Sequence, residues 1–77
     1  MSIKIDIKGL IVSDDEEEIY SYFGLEVTSP KKIVQAIDSA NGQDIEVHFN
    51  SPGGDLPAGS EIYTALKDYR GNTVGKI

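Results

Sequence analysis

Ile3-Lys4-Ile5-Asp6-Ile7-Lys8 alternates apolar and polar positions without a break. A period of two predicts a β-strand with one buried face. Gly9 interrupts the alternation, and Leu10-Ile11-Val12 continues as a short apolar strand after a bulge or turn. The next stretch changes character. Ser13 precedes Asp14-Asp15-Glu16-Glu17-Glu18, then Ile19, Tyr20, Tyr22 and Phe23 follow, closed by Gly24. A serine cap with carboxylates in the first turn complements the positive end of a helix dipole. Asp14 to Phe23 therefore reads as a short helix or a structured loop.

Thr28-Ser29-Pro30 announces a firmer helix. Ser29 caps it, and Pro30 in its first position forfeits no hydrogen bond. Ile33, Ile37 and Ala40 recur on one stripe with Val34 and Ala36 beside it, and Asn41-Gly42 closes the helix. Ile45 to Phe49 is the next strand. A helix of that length between two strands makes a parallel crossover, expected to be right-handed. Pro52 fixes its own φ and biases Ser51 toward extended geometry, so the strand is expected to stop and turn there. A second helix runs from Leu56 or Pro57 to Tyr69, with Ile62, Ala65, Leu66 and Tyr69 on its buried stripe. Ala58 and Gly59 allow close packing near its start. Arg70-Gly71-Asn72 ends it, and Thr73 to Ile77 begins another strand. The whole pattern predicts an α/β fold built from parallel βαβ units.

Composition narrows the picture. A chain of 77 residues is one domain or less, and at that size about 60% of the unfolded surface is buried on folding. The net charge is −6, and Asp14 to Glu18 contribute five of the negative charges. Such a run reads as a solvated face or a helix start, and the scattered basic residues leave no footprint for nucleic acid. There is no cysteine, hence no disulfide, no thiolate metal site and no thiol nucleophile. No apolar run approaches the roughly 20 residues of a membrane span. Lys4, Asp6 and Lys8 break up any apolar signal core at the N-terminus. A cytoplasmic protein with neither a nucleic-acid nor a membrane partner is expected.

Candidate chemistry concentrates at Asn50-Ser51-Pro52-Gly53-Gly54-Asp55. Two glycines permit positive φ and leave no Cβ between the backbone and whatever approaches it. A strand that turns through glycines into a helix aims amide N–H groups outward, beside the positive end of the helix. Such a corner stabilises an anion, either bound or developing during a reaction. No Lys-Ser or Lys-Thr follows the glycines, so this is not a P-loop. Asp55 argues against a ligand that is anionic in the ground state and suits a neutral carbonyl that gains charge in a transition state. The bland alternative is a plain strand-to-helix turn. A local triad of His48, Ser51 and Asp55 is a poor candidate. His48 alternates with Val47 and Phe49, and Ser51 more naturally braces the turn through its hydroxyl. Ser60 sits one turn into a helix, no serine has a Gly-x-Ser-x-Gly setting, and no His, Asp and Glu have metal-ligand spacing.

The apolar strand leading into Asn50-Ser51-Pro52-Gly53-Gly54, followed by Ala58-Gly59 and Ile62-Tyr63, resembles the Clp protease proteolytic subunit family of serine peptidases. It is most similar to the prophage branch, the Clp-like head maturation proteases. The likeness runs from about Ile5 to Ile77 and is specific from Ile45 to Tyr63. It implies the Clp protease/crotonase-like superfamily fold, with residues 1–77 the N-terminal part of a single domain, truncated before the catalytic serine. In that family the nucleophile lies one strand beyond the glycine corner, past Ile77, with histidine and aspartate further on. The resemblance carries over the Gly54 N–H as an oxyanion-hole donor, with Gly53 allowing the turn. Leu56 falls in the segment that pairs with the bound peptide backbone.

The expected function is the N-terminal part of an ATP-dependent-Clp-like serine endopeptidase, a prophage capsid or head maturation protease. The chain alone, without the triad, is expected to be inactive. The resemblance implies a polypeptide substrate, a homo-oligomer, and no cofactor or metal. The N-terminal strands and acidic segment resemble the prophage enzymes more than the housekeeping subunits, so docking of a Clp ATPase does not carry over. Two alternatives stand beside this. One is a crotonase-like acyl-CoA enzyme fragment using the same hole for a thioester enolate, and Asn50-Ser51-Pro52 speaks against it. The other is a truncated, non-catalytic assembly module.

Overall fold

The alternating N-terminal stretch becomes one of the two central strands of a parallel sheet. The computed structural model describes residues 2–76. In chain order the elements are β1 (Ser2–Ile11), α1 (Asp14–Tyr22), β2 (Val27–Thr28), α2 (Pro30–Ala40), β3 (Asp44–Gly54), α3 (Leu56–Asp68) and β4 (Thr73–Lys76). The strands lie in the order β2-β1-β3-β4, and each neighbouring pair is parallel. The expected α/β class with parallel βαβ units is thus what the chain forms.

The alternation decides which face is covered. Ile5 and Ile7 of β1 and Ile45 and Val47 of β3 are buried against Ile33 and Ala40 of α2 and Ile62 of α3. Each such aliphatic side chain contributes about 1.5–3 kcal/mol on burial, which docks two short helices onto four strands. Ile37, Leu66 and Tyr69 pack on the rim of this core. Val34, placed beside the α2 stripe, is exposed. The intervening residues form a polar ladder. Asp6 lies within 3.9 Å of Lys4 and 3.7 Å of Lys8, and Glu46 contacts His48 and Lys76.

Local signals explain the helix ends. The Ser29 hydroxyl accepts from the Lys32 N–H at 3.3 Å, and Asn41 closes α2 in the left-handed region at φ 50°. Ser13 caps α1, which buries none of its residues. Instead Asp14 accepts from the Lys31 N–H at 2.8 Å, and Lys32 pairs with Glu17 at 3.5 Å, so α1 is tied to the start of α2 by polar contacts.

Of the bulge or turn expected at Gly9, the bulge is what forms: β1 runs through Gly9 at φ 66° opposite the register shift in β3, and a Cβ there would stand 2.0 Å from the Glu26 carbonyl oxygen. Two local expectations, at Pro52 and at the end of α3, are corrected. The Thr28 hydroxyl donates to the Lys8 carbonyl at 2.8 Å and accepts from the Lys8 N–H at 3.0 Å. A side chain there takes the place of a ladder rung. Val27–Thr28 is itself a short edge strand that no periodicity in two residues could announce. Finally, Pro52 does not end β3, which runs on to Gly54, and α3 stops at Asp68 rather than Tyr69.

Gly9→Ala is expected to lower stability by more than about 2 kcal/mol, because both φ and the Glu26 contact exclude a side chain. Gly59→Ala, in a helix with open space at Cβ, should instead raise it by about 0.5–1 kcal/mol. Urea midpoints of the two variants against the unsubstituted chain check both signs.

Candidate functional site

The glycine corner forms where β3 carries one residue more than its partner. Lys8 pairs with Asn50 and Leu10 with Gly53, two steps along β1 against three along β3. The surplus residue makes a bulge, and Pro52, which has no N–H to give, falls within it. Gly53 and Gly54 adopt φ of 107° and 146°. A Cβ on Gly54 would lie 2.2 Å from the Ile11 carbonyl oxygen and 3.0 Å from its nitrogen. The two backbones touch here, and only glycine permits it.

The amides around the corner have distinct fates. The Asp55 N–H donates to the Ile11 carbonyl at 2.9 Å, and the Gly53 N–H donates to the Ser51 hydroxyl at 3.1 Å. Val12 N–H is taken by the Thr28 carbonyl at 3.0 Å. In a parallel ladder one residue of each pair supplies both bonds of the rung. For Ile11 and Gly54 that residue is Ile11, since its carbonyl receives Asp55. The Gly54 N–H therefore points away from β1. The last described rung of β4 pairs Lys76 with His48, so among the described residues no strand lies beside Gly54 on that side.

α3 starts immediately beyond. The Asp55 carboxylate caps it, accepting from the Ala58 N–H at 2.8 Å. Leu56 is 83% exposed and Tyr63 67%. With Gly53, Gly54 and Gly59 they line an open cavity of about 320 Å³. Ala58 is the small residue that packs, at 3% exposure, whereas Gly59 faces open space. A larger cavity of about 390 Å³ between α2 and α3, lined by Val34, Ile37, Ala65 and Tyr69, holds no glycine corner.

His48, Ser51 and Asp55 do not make a triad, for each is engaged elsewhere. His48 Nε2 lies 2.8 Å from Glu46 Oε1, Ser51 braces Gly53, and Asp55 caps α3. Hydrogen bonding from His48, aided by the nearby Lys76 ammonium, holds the Glu46 carboxyl below its ordinary 4.5. Among the described residues no group of His, Asp and Glu could hold a metal ion, and no helix is long and apolar enough to cross a membrane. What the corner offers is an outward amide, an adjoining helix start and an apolar groove. That set can hold an oxygen atom and the chain attached to it. The two glycines and Leu56, singled out in the sequence, lie together along one cavity. The sequence missed the groove, because Gly59 read as a packing position and nothing in the residues set Tyr63 beside it on an open face until the direction of the helix was known.

Residues 14–75 match the family model described as Clp protease. No curated protein and no solved structure matches the chain.

Asp55→Ala should lose about 1 kcal/mol of stability with the cap, while Asp55→Asn, an equally good cap, should lose little. Thermal melts of both variants separate capping from charge. The Glu46 arrangement gives a pH signature. A carboxylate whose folded pKa is depressed stabilises above its unfolded pKa, and the contribution is lost as pH falls through the folded value. Glu46→Gln should therefore flatten the loss of stability below about pH 4.5, read from urea titrations across the acid limb.

Proposed function

This chain belongs to the Clp protease family, and from that premise we propose that it supplies the oxyanion-hole corner of a serine endopeptidase. The observation that carries the reading is the Gly54 N–H, turned away from β1 where no described strand meets it. A peptide carbonyl placed there becomes negative when a hydroxyl attacks it. A preorganised amide that strengthens its bond as charge develops lowers the barrier selectively. Gly53 supplies the backbone conformation that presents this amide, and Ser51 locks it.

The polypeptide substrate lies extended along the free side of β3, with its main chain pairing near Leu56 in the manner of an added strand. That arrangement delivers the scissile carbonyl to Gly54 without help from any side chain. The Asp55 charge favours a neutral carbonyl over a resident anion at the same position. The nucleophile, its base and the orienting acid come from elsewhere in the full-length gene product. The prophage head maturation branch is the substrate context we favour, because the specific likeness lies in Ile45 to Tyr63 and the acidic segment departs from the housekeeping pattern. Its substrates are then capsid polypeptides, cleaved within a homo-oligomer.

The full-length gene product is expected to cleave unstructured peptides and to be inactivated by a fluorophosphonate. Gly54→Ala should lower kcat/KM by at least about 100-fold. Because a Cβ there also meets Ile11, circular dichroism and the melting midpoint must show the variant folded before its rate is compared. Absence of any fluorophosphonate-sensitive cleavage would refute the assignment.

A further inference from the structure

We propose that the outer face of α1 is a docking surface for a basic segment of another polypeptide that also carries large apolar side chains. The inference comes from the exposure and charge of α1 and is independent of the chemistry at Gly54.

α1 has two sides. Asp14 and Glu17 face α2, where Asp14 accepts from the Lys31 N–H at 2.8 Å and Glu17 pairs with Lys32 at 3.5 Å. With about 100° between successive residues, Asp15, Glu16, Ile19, Tyr22 and the capping Phe23 fall on the opposite side. None of the apolar residues there is buried. Tyr22 is 86% exposed and Phe23 70%, and Ile19 is exposed with them. The two rings meet each other rather than the core, with centroids 5.4 Å apart and planes at 88°. Leu25, which follows the helix, is exposed as well. Single apolar residues in water are ordinary, but three on one face of a helix that buries nothing mark a contact surface.

Charge selects the occupant. Asp15 and Glu16 stand four and three positions before Ile19, so they border the apolar patch on the same face. Beside them a cavity of about 310 Å³ opens between the starts of α1 and α3, lined by Asp14, Asp15, Asp55 and Glu61. Among the described residues no cationic side chain pairs with any of these carboxylates. The face is therefore negative at one end and aromatic at the other. A segment with lysine or arginine next to leucine or phenylalanine complements both ends. Contact between two copies through this face would bring two acidic runs into one interface, and α1 has no lysine or arginine to separate them. Anionic lipid and nucleic acid are repelled.

The surface is also built before a partner arrives. The Ser13 hydroxyl donates to the Glu16 carboxylate at 3.1 Å and accepts from the Glu16 N–H at 3.3 Å, and the ties to Lys31 and Lys32 fix the helix from behind. A preformed face loses little conformational freedom on binding.

The test uses the full-length gene product and a short fluorescent peptide with lysines at one end and leucine and phenylalanine at the other, read by anisotropy. The peptide should bind, and added salt should weaken it. Serine in place of its apolar residues, or glutamate in place of its lysines, should abolish binding. Tyr22→Ala and Phe23→Ala should each weaken binding about 5–30-fold. Asp15→Asn should weaken binding and flatten its salt dependence. Asp38→Asn removes the same charge near the far end of α2 and should change neither. The proposal is overturned by a peptide that does not bind, by binding indifferent to both aromatic substitutions, or by an Asp38→Asn loss equal to that of Asp15→Asn. It is equally overturned if Tyr22→Ala or Phe23→Ala lowers the melting midpoint, or the mass seen by light scattering, of the peptide-free protein. Either result would mean that this face is already covered by the rest of the chain or by a second copy.

Discussion

The structure depends on how closely β3 approaches β1 at its carboxyl end. Ile11 sits at that contact. Its carbonyl accepts the Asp55 N–H, while the next residue, Val12, donates across to Thr28. One short piece of main chain thus joins β2, β1 and β3. The approach is close enough that a single carbon on Gly54 would overlap the Ile11 carbonyl. The same contact decides everything downstream. Asp55, anchored by its N–H, is placed to cap α3 with its carboxylate, and α3 then closes the core through Ile62. The outward Gly54 amide is the other half of that event, because in a parallel rung Asp55 can face Ile11 only if Gly54 faces away. Scaffold and candidate chemistry are one piece of geometry.

Much of this was legible in the residues, for reasons that differ by element. β1 and β3 announced themselves because strict alternation has few competing explanations. α2 announced itself through Ser29-Pro30 at one end and Asn41-Gly42 at the other, and both ends perform as their chemistry suggests. The misjudged places share a cause. Pro52 is a residue that usually ends a strand, and here it is absorbed into the bulge that β3 makes opposite Gly9. A bulge is a property of two strands in register, so neither strand alone reveals it. Val27–Thr28 is invisible for a related reason, since its strand character comes from Leu10 and Ile11 beside it.

The candidate site divides along the same line. Gly53 and Gly54 could be singled out because a doubled glycine after proline has a specific conformational use. The groove could not, because Gly59 beside Ala58 looks like a pair of small packing residues. In the fold they part company, one buried at 3% exposure and the other facing open space. Two residues adjacent in sequence on a helix point about 100° apart, and only the position of the sheet says which of them is inside.

A corner made of main chain imposes its own logic on the charges around it. An amide N–H beside a helix start would hold any anion, and a resident anion would occupy the place a substrate carbonyl needs. Asp55 changes that balance while stabilising the helix, because its carboxylate takes the Ala58 N–H and places negative charge at the helix's positive end. What then remains at the corner is a directed hydrogen bond from Gly54, with little long-range attraction for anions. In the proposed role such a donor would discriminate by geometry, rewarding an oxygen brought to it on an extended chain and gaining strength as that oxygen becomes charged. The polarity of the sheet beneath is consistent with this division. Its ionic groups are paired in a ladder of Lys4, Asp6 and Lys8 and of Glu46, His48 and Lys76. With those charges matched against one another and Asp55 committed to α3, the recognition proposed at Gly54 would fall to shape and main-chain pairing.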